Sequence, residues 1–437
     1  MKTILAVAGT RPEIIKMAPV IKALRRRKGV RTLFVLSGQH YDYEMSTVFI
    51  KDLELPQPDE VLDTGSARDP VQLSILIREL SDFIARHRVD LVVAQGDTNT
   101  VVAAALAATK SGVPFAHVEA GLRNFDRRMP EELNRMIAAD LAEINFAPTV
   151  RSAENLVNEG VPPSRICIVG NTIVDAVLEF KELAAKKSSI IEKLGLKKGE
   201  FVLATVHRVE TVDNEKNLQS VVGALTEIAE RTPVVIPLHP RTRKNLQRFG
   251  LDGLLRDPHI RMTEPLGYLD FLMLLAHCRF VMTDSGGVQE EALTLGVPCL
   301  TLRRSTERPE TVEAGGNFVV GIEKGQISAQ VLKLLVGRST AKAKNPLGDG
   351  RAGERIAKVC LERLRRGKWF ESPDYLESGA PRHRAIVVKE EEAGVEVSEL
   401  ERKRGGRVMA VYDETGSFVM PKKGLKLAVG YVAIVMN

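Results

Sequence analysis

Three carboxylates and one histidine in this chain are placed to move protons. Asp97 and Glu119 each follow an apolar run, Val89–Ala94 and Pro114–Val118. Glu131 stands behind Pro130 at a helix start, and His207 ends the apolar run Phe201–Val206. Clustered titratable groups in a crevice are what acid–base catalysis requires. Each also has an ordinary structural reading: Asp97 as a helix cap, Glu119 in an ion pair, Glu131 and Glu132 favouring a helix N-terminus, and His207 and His239 as structural histidines at strand ends. Arg11, Lys16, Arg208 and Arg308 supply positive charge suited to a phosphate. The run Phe280 to Glu291 reads as strand, tight turn and helix. Ser285 is expected to N-cap that helix, and Gly286-Gly287 would let an anion reach bare backbone. An ordinary capped turn is the alternative.

No Asp-x-Asp pair, His/Cys ligand set or Walker-type loop is present, and no G-x-G-x-x-G follows the first apolar run. No metal and no cofactor are therefore expected, and cationic side chains must neutralise a phosphate instead.

These groups need a scaffold that gathers strand ends. Lys2–Ala8 reads as a buried strand, and Gly9 to Glu13 as a turn. Ile14, Ile15, Met17, Ala18, Ile21 and Leu24 then recur at helical spacing. Strands are expected at Arg31–Ser37, Val89–Ala94 and Pro114–Val118, with a helix over 98–110. A second series, Phe201–Val206, Val234–Leu238, Phe280–Thr283 and Pro298–Leu302, ends in polar residues in the same way. The predicted fold class is α/β: two Rossmann-like doubly wound domains facing across a cleft, with the site outside the carboxyl ends of the strands. The expected domains are residues 1–168, completed by a helix over 351–370, and residues 169–350. Residues 371–383 read as a linker and 384–437 as a small α+β domain, marginal alone and stabilised by pairing.

The net charge of +6 is modest, and the Arg25-Arg26-Arg27-Lys28 run has no interleaved aromatics. It reads as a solvated helix end rather than a nucleic-acid surface. No apolar run is long enough to span a membrane. Cys167, Cys278, Cys299 and Cys360 are scattered, which fits a reducing cytoplasm.

In order along the chain stand Gly-Thr-Arg-Pro-Glu-Ile-Ile-Lys (9–16), Gln-Gly-Asp-Thr (95–98), His-Val-Glu-Ala-Gly-Leu-Arg (117–123) and Pro-Glu-Glu-Leu-Asn-Arg (130–135). His-Arg-Val-Glu (207–210), Thr-Asp-Ser-Gly-Gly-Val-Gln-Glu-Glu (283–291) and Thr-Glu-Arg-Pro-Glu (306–310) follow. Over residues 1–370 this set resembles the non-hydrolysing UDP-N-acetylglucosamine 2-epimerases. The resemblance implies a fold like that of GT-B glycosyltransferases, and interconversion of UDP-GlcNAc and UDP-ManNAc by elimination of UDP to 2-acetamidoglucal and re-addition. It implies Asp97, Glu119 and Glu131 as acid–base groups, assisted by His207, without assigning a carboxylate to either face of C2. Arg11, Lys16 and Arg308 would hold phosphate; Ser285, Gly286 and Gly287 would receive it; Glu291 would bind ribose; Leu266 and Phe271 would lie at the uracil. Some members hold a second UDP-GlcNAc as activator. Gln39, Gln72 and His239 match part of that pocket, whereas Asp42 stands where glutamine is usual. The chain also departs from the bacterial pattern at Val209-Glu210-Thr211 and at Pro237-Leu-His-Pro-Arg-Thr242.

The tail, Gly394 to Pro421, resembles a TrkA-C (RCK C-terminal) domain, which implies a homodimer or a small-molecule regulator; a stability appendage is the other reading. A hydrolysing 2-epimerase, a GT-B glycosyltransferase and a nucleotide-sugar sensor are the competing functions. The set Asp97, Glu119 and Glu131 argues against a pure sensor.

Overall fold

The computed structural model describes residues 1–38, 50–55, 57–62, 69–255, 257–336, 345–367, 369, 383–390, 393–413, 418–419, 421 and 424–436. Gln39, most of the expected linker and the turn after Asp413 lie outside them. Contacts divide the chain into two compact units, residues 1–369 and 370–437.

The larger unit holds two parallel sheets. The first comprises β1 (Lys2–Ala8), β2 (Val30–Leu36), β3 (Glu60–Val61), β4 (Leu91–Gln95), β5 (Phe115–Val118), β6 (Ile144–Ala147) and β7 (Ile166–Ile168), in the order β3-β2-β1-β4-β5-β6-β7. Six of the seven residues of β1 are buried, as expected of a strand covered by helices on both faces. The second sheet comprises β8 (Val202–Thr205), β9 (Val234–Pro237), β10 (Ile260–Thr263), β11 (Phe280–Thr283), β12 (Cys299–Thr301) and β13 (Asn317–Val319), in the order β10-β9-β8-β11-β12-β13. Strands β3, β6, β7, β10 and β13 are two to four residues long. The sequence expectations did not include them.

In each sheet the strand order reverses at one place. Successive strands run outward from β1 on one side and from β4 on the other; in the second sheet the reversal lies between β8 and β11. Loops leaving two such neighbours part to opposite faces and open a crevice at their carboxyl ends. The loops so placed are Gly9-Thr10 and Gly96-Asp97 in the first sheet, and Val206-His207 and Asp284-Ser285 in the second.

The helices that bear on the site are α1 (Arg11–Arg25), α2 (Asp69–His87), α3 (Asn99–Lys110), α4 (Pro130–Leu141), α5 (Thr172–Lys187), α6 (Gly286–Leu295) and α7 (Ala352–Arg366). Pro12 lies in the first turn of α1, where its missing N–H costs nothing. The α1 capping box joins Thr10 to Glu13. Late in the chain, α7 packs on α1: a Cβ on Gly353 would lie 2.8 Å from the Pro19 carbonyl carbon, so only glycine permits that approach. Asp175 of α5 accepts the Ala352 and Gly353 amides at 3.1 and 2.9 Å, fixing the start of α7. The Arg25–Lys28 run is not wholly solvated, because Arg26 and Arg27 pair with Glu354 of α7. Among the described residues no helix is long and apolar enough to cross a membrane.

The smaller unit has an antiparallel sheet of β14 (His383–Val387), β15 (Arg407–Tyr412), β16 (Phe418–Val419) and β17 (Val432–Met436), ordered β14-β17-β15-β16. Val397 and Leu400 of α8 (Val397–Arg404) join Val388, Val408, Val411, Leu427 and Ala433 in its own small core.

Candidate functional site

The crevice is built on a buried charge cluster shared by the two sheets. Lys16, one turn into α1, donates its Nζ to both Glu119 oxygens, at 2.8 and 2.6 Å, and lies 3.3 Å from Glu290 of α6. Arg308 donates Nε to Glu290, and its Nη2 stands 3.4 Å from Glu119. Gln95, ending β4, donates to Glu119 Oε2 at 2.8 Å, and Asn171 donates to Glu290 Oε1 at 3.0 Å. Burial alone would raise the Glu119 carboxyl, but Lys16 and Arg308 outweigh it and hold the group below its ordinary value. Burial opposes charge on Lys16 and Arg308 as well; Glu119 and Glu290 restore it and raise Lys16, and Glu290, Glu307 and Glu119 raise Arg308. Glu119 sits at φ 66°, a left-handed conformation uncommon for a side chain of its size. Such strain costs about 1–3 kcal/mol and persists only where the surroundings over-determine it, here through Lys16, Gln95 and Arg308.

Asp97 follows β4. Its Oδ2 accepts Nε and Nη2 of Arg135 at 2.9 and 2.6 Å, and its carbonyl accepts Asn134 at 2.9 Å. The helix cap that Asp97 was open to be is Thr98, the N-cap of α3. Arg135 also donates to Glu132 at 2.8 Å, and Glu132 accepts the Asn124 and Phe125 amides, both at 3.0 Å. The two carboxylates at the start of α4 therefore differ: Glu132 is buried in this network, and Glu131 is exposed at its edge. Glu13 accepts the Gly9 and Thr10 amides at 2.6 and 2.8 Å and the Thr98 hydroxyl, which ties the β1 loop to the β4 loop. Burial pushes its carboxyl up to about 7. His117 of β5, held down at about 4 by burial, contacts the Gly96 carbonyl at 2.8 Å and steadies the turn before Asp97.

At the second sheet, Asp284 receives the His207 and Arg208 amides at 2.9 and 2.8 Å, and His207 Nδ1 stands 3.1 Å from its other oxygen. His207 keeps 41% of its side chain exposed beside Asp284. Ser285 occupies the N-cap position of α6 but makes no side-chain capping bond, contrary to expectation. The turn is closed instead by Thr283, whose hydroxyl accepts the Ser285 amide at 3.0 Å. Gly286 has a specific reason to lack a side chain: a Cβ there would meet Glu307 Oε1 at 2.8 Å. Burial raises Glu307, yet Arg308, Arg303 and Arg208 around it bring it to about 2. Glu291 is buried, pushed up to about 7, and accepts the Tyr268 hydroxyl at 3.0 Å.

The fold thus gathers Lys16, Glu119 and Arg308 into direct contact, and puts Asp97 on the same sheet edge. Arg11 is exposed at the first turn of α1. Leu266 and Phe271 are half-buried on the core near Tyr268. Of the second-pocket residues, Gln72 is buried on α2 and His239 is exposed, its ring 5.9 Å from that of His207. Glu13, Gln95, Glu132, Arg135, Asn171, Tyr268, Glu290 and Glu307 were not named as site residues from sequence. Thr10-x-x-Glu13 was a legible capping box; Glu132 has only near-sequence partners, Asn124, Phe125 and Arg135, whereas Gln95, Asn171, Tyr268 and Glu290 pair with residues distant in sequence. Among the described residues no group of three His, Cys, Asp or Glu is placed to hold a metal ion.

The family profile described as UDP-N-acetylglucosamine 2-epimerase matches residues 22–361. A UDP-N-acetylglucosamine 2-epimerase of Methanocaldococcus jannaschii is 42% identical over 358 residues, 81% of this chain and 97% of that protein. A UDP-2,3-diacetamido-2,3-dideoxy-D-glucuronate 2-epimerase of Pseudomonas aeruginosa is 38% identical over 362 residues, 82% of this chain and 99% of that protein. Among solved structures, the M. jannaschii UDP-GlcNAc 2-epimerase in complex with UDP-GlcNAc and UDP superposes with a TM-score of 0.75 at 42% identity, covering 83% of this chain and 100% of that one. The Neisseria meningitidis UDP-GlcNAc 2-epimerase bound to UDP-GlcNAc gives 0.76 at 32% identity, covering 82% and 100%.

Proposed function

This chain belongs to the UDP-N-acetylglucosamine 2-epimerase family, and from that premise we propose that it interconverts UDP-GlcNAc and UDP-ManNAc by eliminating UDP to 2-acetamidoglucal and adding it back. The observation that carries the reading is the Lys16–Glu119–Arg308–Glu290 cluster, in which a carboxylate from the first sheet's edge meets the cations a diphosphate needs.

The C2 proton is weakly acidic, so its removal needs a base within hydrogen-bond reach. Asp97, Glu119 and Glu131 fill the acid–base roles, Glu131 from its exposed position at the start of α4. UDP leaves as an anion, and Lys16, Arg308, Arg11 and the Ser285–Gly287 turn at the start of α6 stabilise it. His207, oriented by Asp284, assists at the leaving phosphate. Glu291 holds ribose, and Leu266 and Phe271 flank the uracil. Retention of UDP through the intermediate follows from binding that spans both sheets.

Incubation with UDP-GlcNAc in deuterated water is expected to yield UDP-ManNAc carrying deuterium at C2. Stoichiometric UDP with free ManNAc would replace this reading with a hydrolysing 2-epimerase, and no turnover without an acceptor would replace it with a glycosyltransferase. The Pseudomonas relative favours a second substrate reading, a UDP-diacetamido-uronate, with the same C2 chemistry. Competing the two sugars against each other and comparing kcat/KM separates them.

The pathway that uses the product is proposed to build a polysaccharide, in the cytoplasm. An activator UDP-GlcNAc beside Gln72 and His239 would show as sigmoidal kinetics. For residues 384–437 the resemblance to a TrkA-C domain supports a dimerising or regulator-binding module. Truncation after Leu376 that leaves oligomeric state, stability and kinetics unchanged would dispose of both roles.

A further inference from the structure

An epimerase that removes the C2 proton on one face and returns a proton on the other needs two groups in opposite states. One must be ionised to receive, and the other must already carry a proton. The ligand-free arrangement does not provide the second. Glu119 is ionised between Lys16 and Arg308, at 2.6 and 3.4 Å. Resting on the epimerase reading above, we propose that substrate binding loads the missing proton onto Glu119, because the diphosphate takes over the two cations that keep this carboxylate charged.

Lys16 and Arg308 supply two positive charges, and Glu119 and Glu290 two negative ones, all four side chains less than a tenth exposed. A diphosphate adds two negative charges at the same cations. Buried carboxylates left without counter-charge take up protons rather than stay ionised. Glu290, on α6, keeps Asn171 as a neutral donor at 3.0 Å and is fully buried. Glu119 ends β5, at the crevice, and retains Gln95 at 2.8 Å. The other charged groups near it do not replace the lost cations. Arg135 is directed to Asp97 and Glu132, and His117 is kept neutral by burial. Asp97 adds further negative charge at the same edge.

The step then balances. The carboxyl of Glu119 gives its proton to C2 of the 2-acetamidoglucal, the C1–C2 π pair forms the new C2–H bond, and a β-phosphate oxygen of UDP forms the C1–O bond. Glu119 is left as carboxylate, while the group on the opposite face holds the proton taken from the original C2.

Calorimetric titration of the full-length protein with UDP-GlcNAc at pH 7, in MOPS and in Tris, measures this directly. The sugar diphosphate has no group of its own titrating near neutrality, and isomerisation releases no proton, so the buffer dependence reports only uptake linked to binding. Uptake of about one proton per site is expected, with affinity falling toward about tenfold per pH unit on the alkaline side, since a rise in pH opposes a binding step that consumes protons. Glu119→Gln is expected to abolish the uptake. Equal heats in the two buffers, or uptake unchanged in Glu119→Gln, would overturn the proposal. Should Glu119→Gln fail to fold or bind, Glu13→Gln and Glu291→Gln decide: uptake lost in either assigns the proton elsewhere and overturns it, while uptake kept in both supports Glu119. Wild-type protein that binds no UDP-GlcNAc overturns the epimerase reading itself.

Discussion

The two sheets place the same topological feature, a reversal of strand order, at the crevice, and use it differently. At the edge of the first sheet the reacting surface is made of side chains. Asp97, Glu119, Glu13 and Glu132 are each held by named donors from a neighbouring loop or helix. At the edge of the second sheet the surface is largely backbone: the Asp284-Ser285-Gly286-Gly287 turn, with the amides of His207 and Arg208 committed to Asp284. Proton transfer needs charged groups fixed to a fraction of an ångström. Recognition of a phosphate needs close approach, which glycine and a helix start allow. Under the proposed function one sheet would serve the chemistry and the other the nucleotide, with Lys16 and Arg308 joining the two.

That division is tested most severely by matched carboxylate-to-amide changes. Asp97→Asn is expected to lower kcat by about 10²–10⁴-fold with little change in KM, the usual range for loss of an acid–base group. Glu291→Gln is expected to raise KM with kcat nearly intact. Steady-state kinetics on both variants checks the contrast, and an Asp97→Asn defect confined to KM would break it.

The next effect is on stability. Arg308→Met leaves Glu290 and Glu119 buried with one cation between them, and breaking a buried pair in this way costs about 3–5 kcal/mol. Arg241→Met at the exposed Asp213 pair is expected to change stability far less. Urea unfolding of the two variants measures both, and equal losses would mean the crossing cluster is no more than a surface contact.

The sheets themselves were legible because parallel strands covered on both faces are continuous apolar runs, and because their ends are marked by polar residues. Lys2–Ala8 and Phe280–Thr283 are the same in sequence reading and structure. The pairing of the site was not legible. Lys16 and Glu290 are 274 positions apart, and nothing local in either helix announces the other. Glu131 and Glu132 are equivalent by composition, and both favour a helix N-terminus. The roughly 100° turn per helical residue faces one to solvent and the other to Arg135, and which is which depends on how α4 docks. Ser285 does stand at the N-cap, as its type suggests, but its hydroxyl makes no capping bond, and the Thr283 hydroxyl two residues before it accepts its amide.

Glu13 gives a pH test that separates the first sheet from the second. A carboxyl ordinarily at 4.5 and held at about 7 in the fold corresponds to about 3 kcal/mol between the two ends of that range. The sign follows from the direction. Because burial raises the folded value, the contribution is fully present below 4.5 and is lost as pH rises toward 7. His117, held at about 4 instead of 6.5, runs the other way, losing stability as pH falls through that window. The two largely offset each other in the wild-type profile, so the informative quantity is the difference between wild type and Glu13→Gln. The variant is expected to gain relative stability steadily from pH 4.5 to 7, read from urea midpoints across that range. A pH-independent difference would mean that Glu13 is ionised in the fold, and the joint it makes between the β1 and β4 loops would then be an ordinary charged cap.

The smallest expected effect lies on the nucleotide side. Tyr268 donates its hydroxyl to Glu291 at 3.0 Å, and this bond is what offsets burial of that carboxyl. Tyr268→Phe keeps the ring and its edge-on contact with Phe180 but removes the donor. The Glu291 carboxyl then moves above about 7, and less of it is ionised at neutral pH to accept the ribose hydroxyls proposed to bind there. One hydrogen bond to a charged group is worth about 1.5 kcal/mol, or roughly tenfold in KM, with kcat unchanged. The loss should shrink as pH rises, because alkali re-ionises Glu291 without Tyr268. A kcat defect instead would place Tyr268 and Glu291 with the proton-moving groups, and the boundary drawn between a chemical sheet and a nucleotide sheet would have to be moved across the cleft to include them.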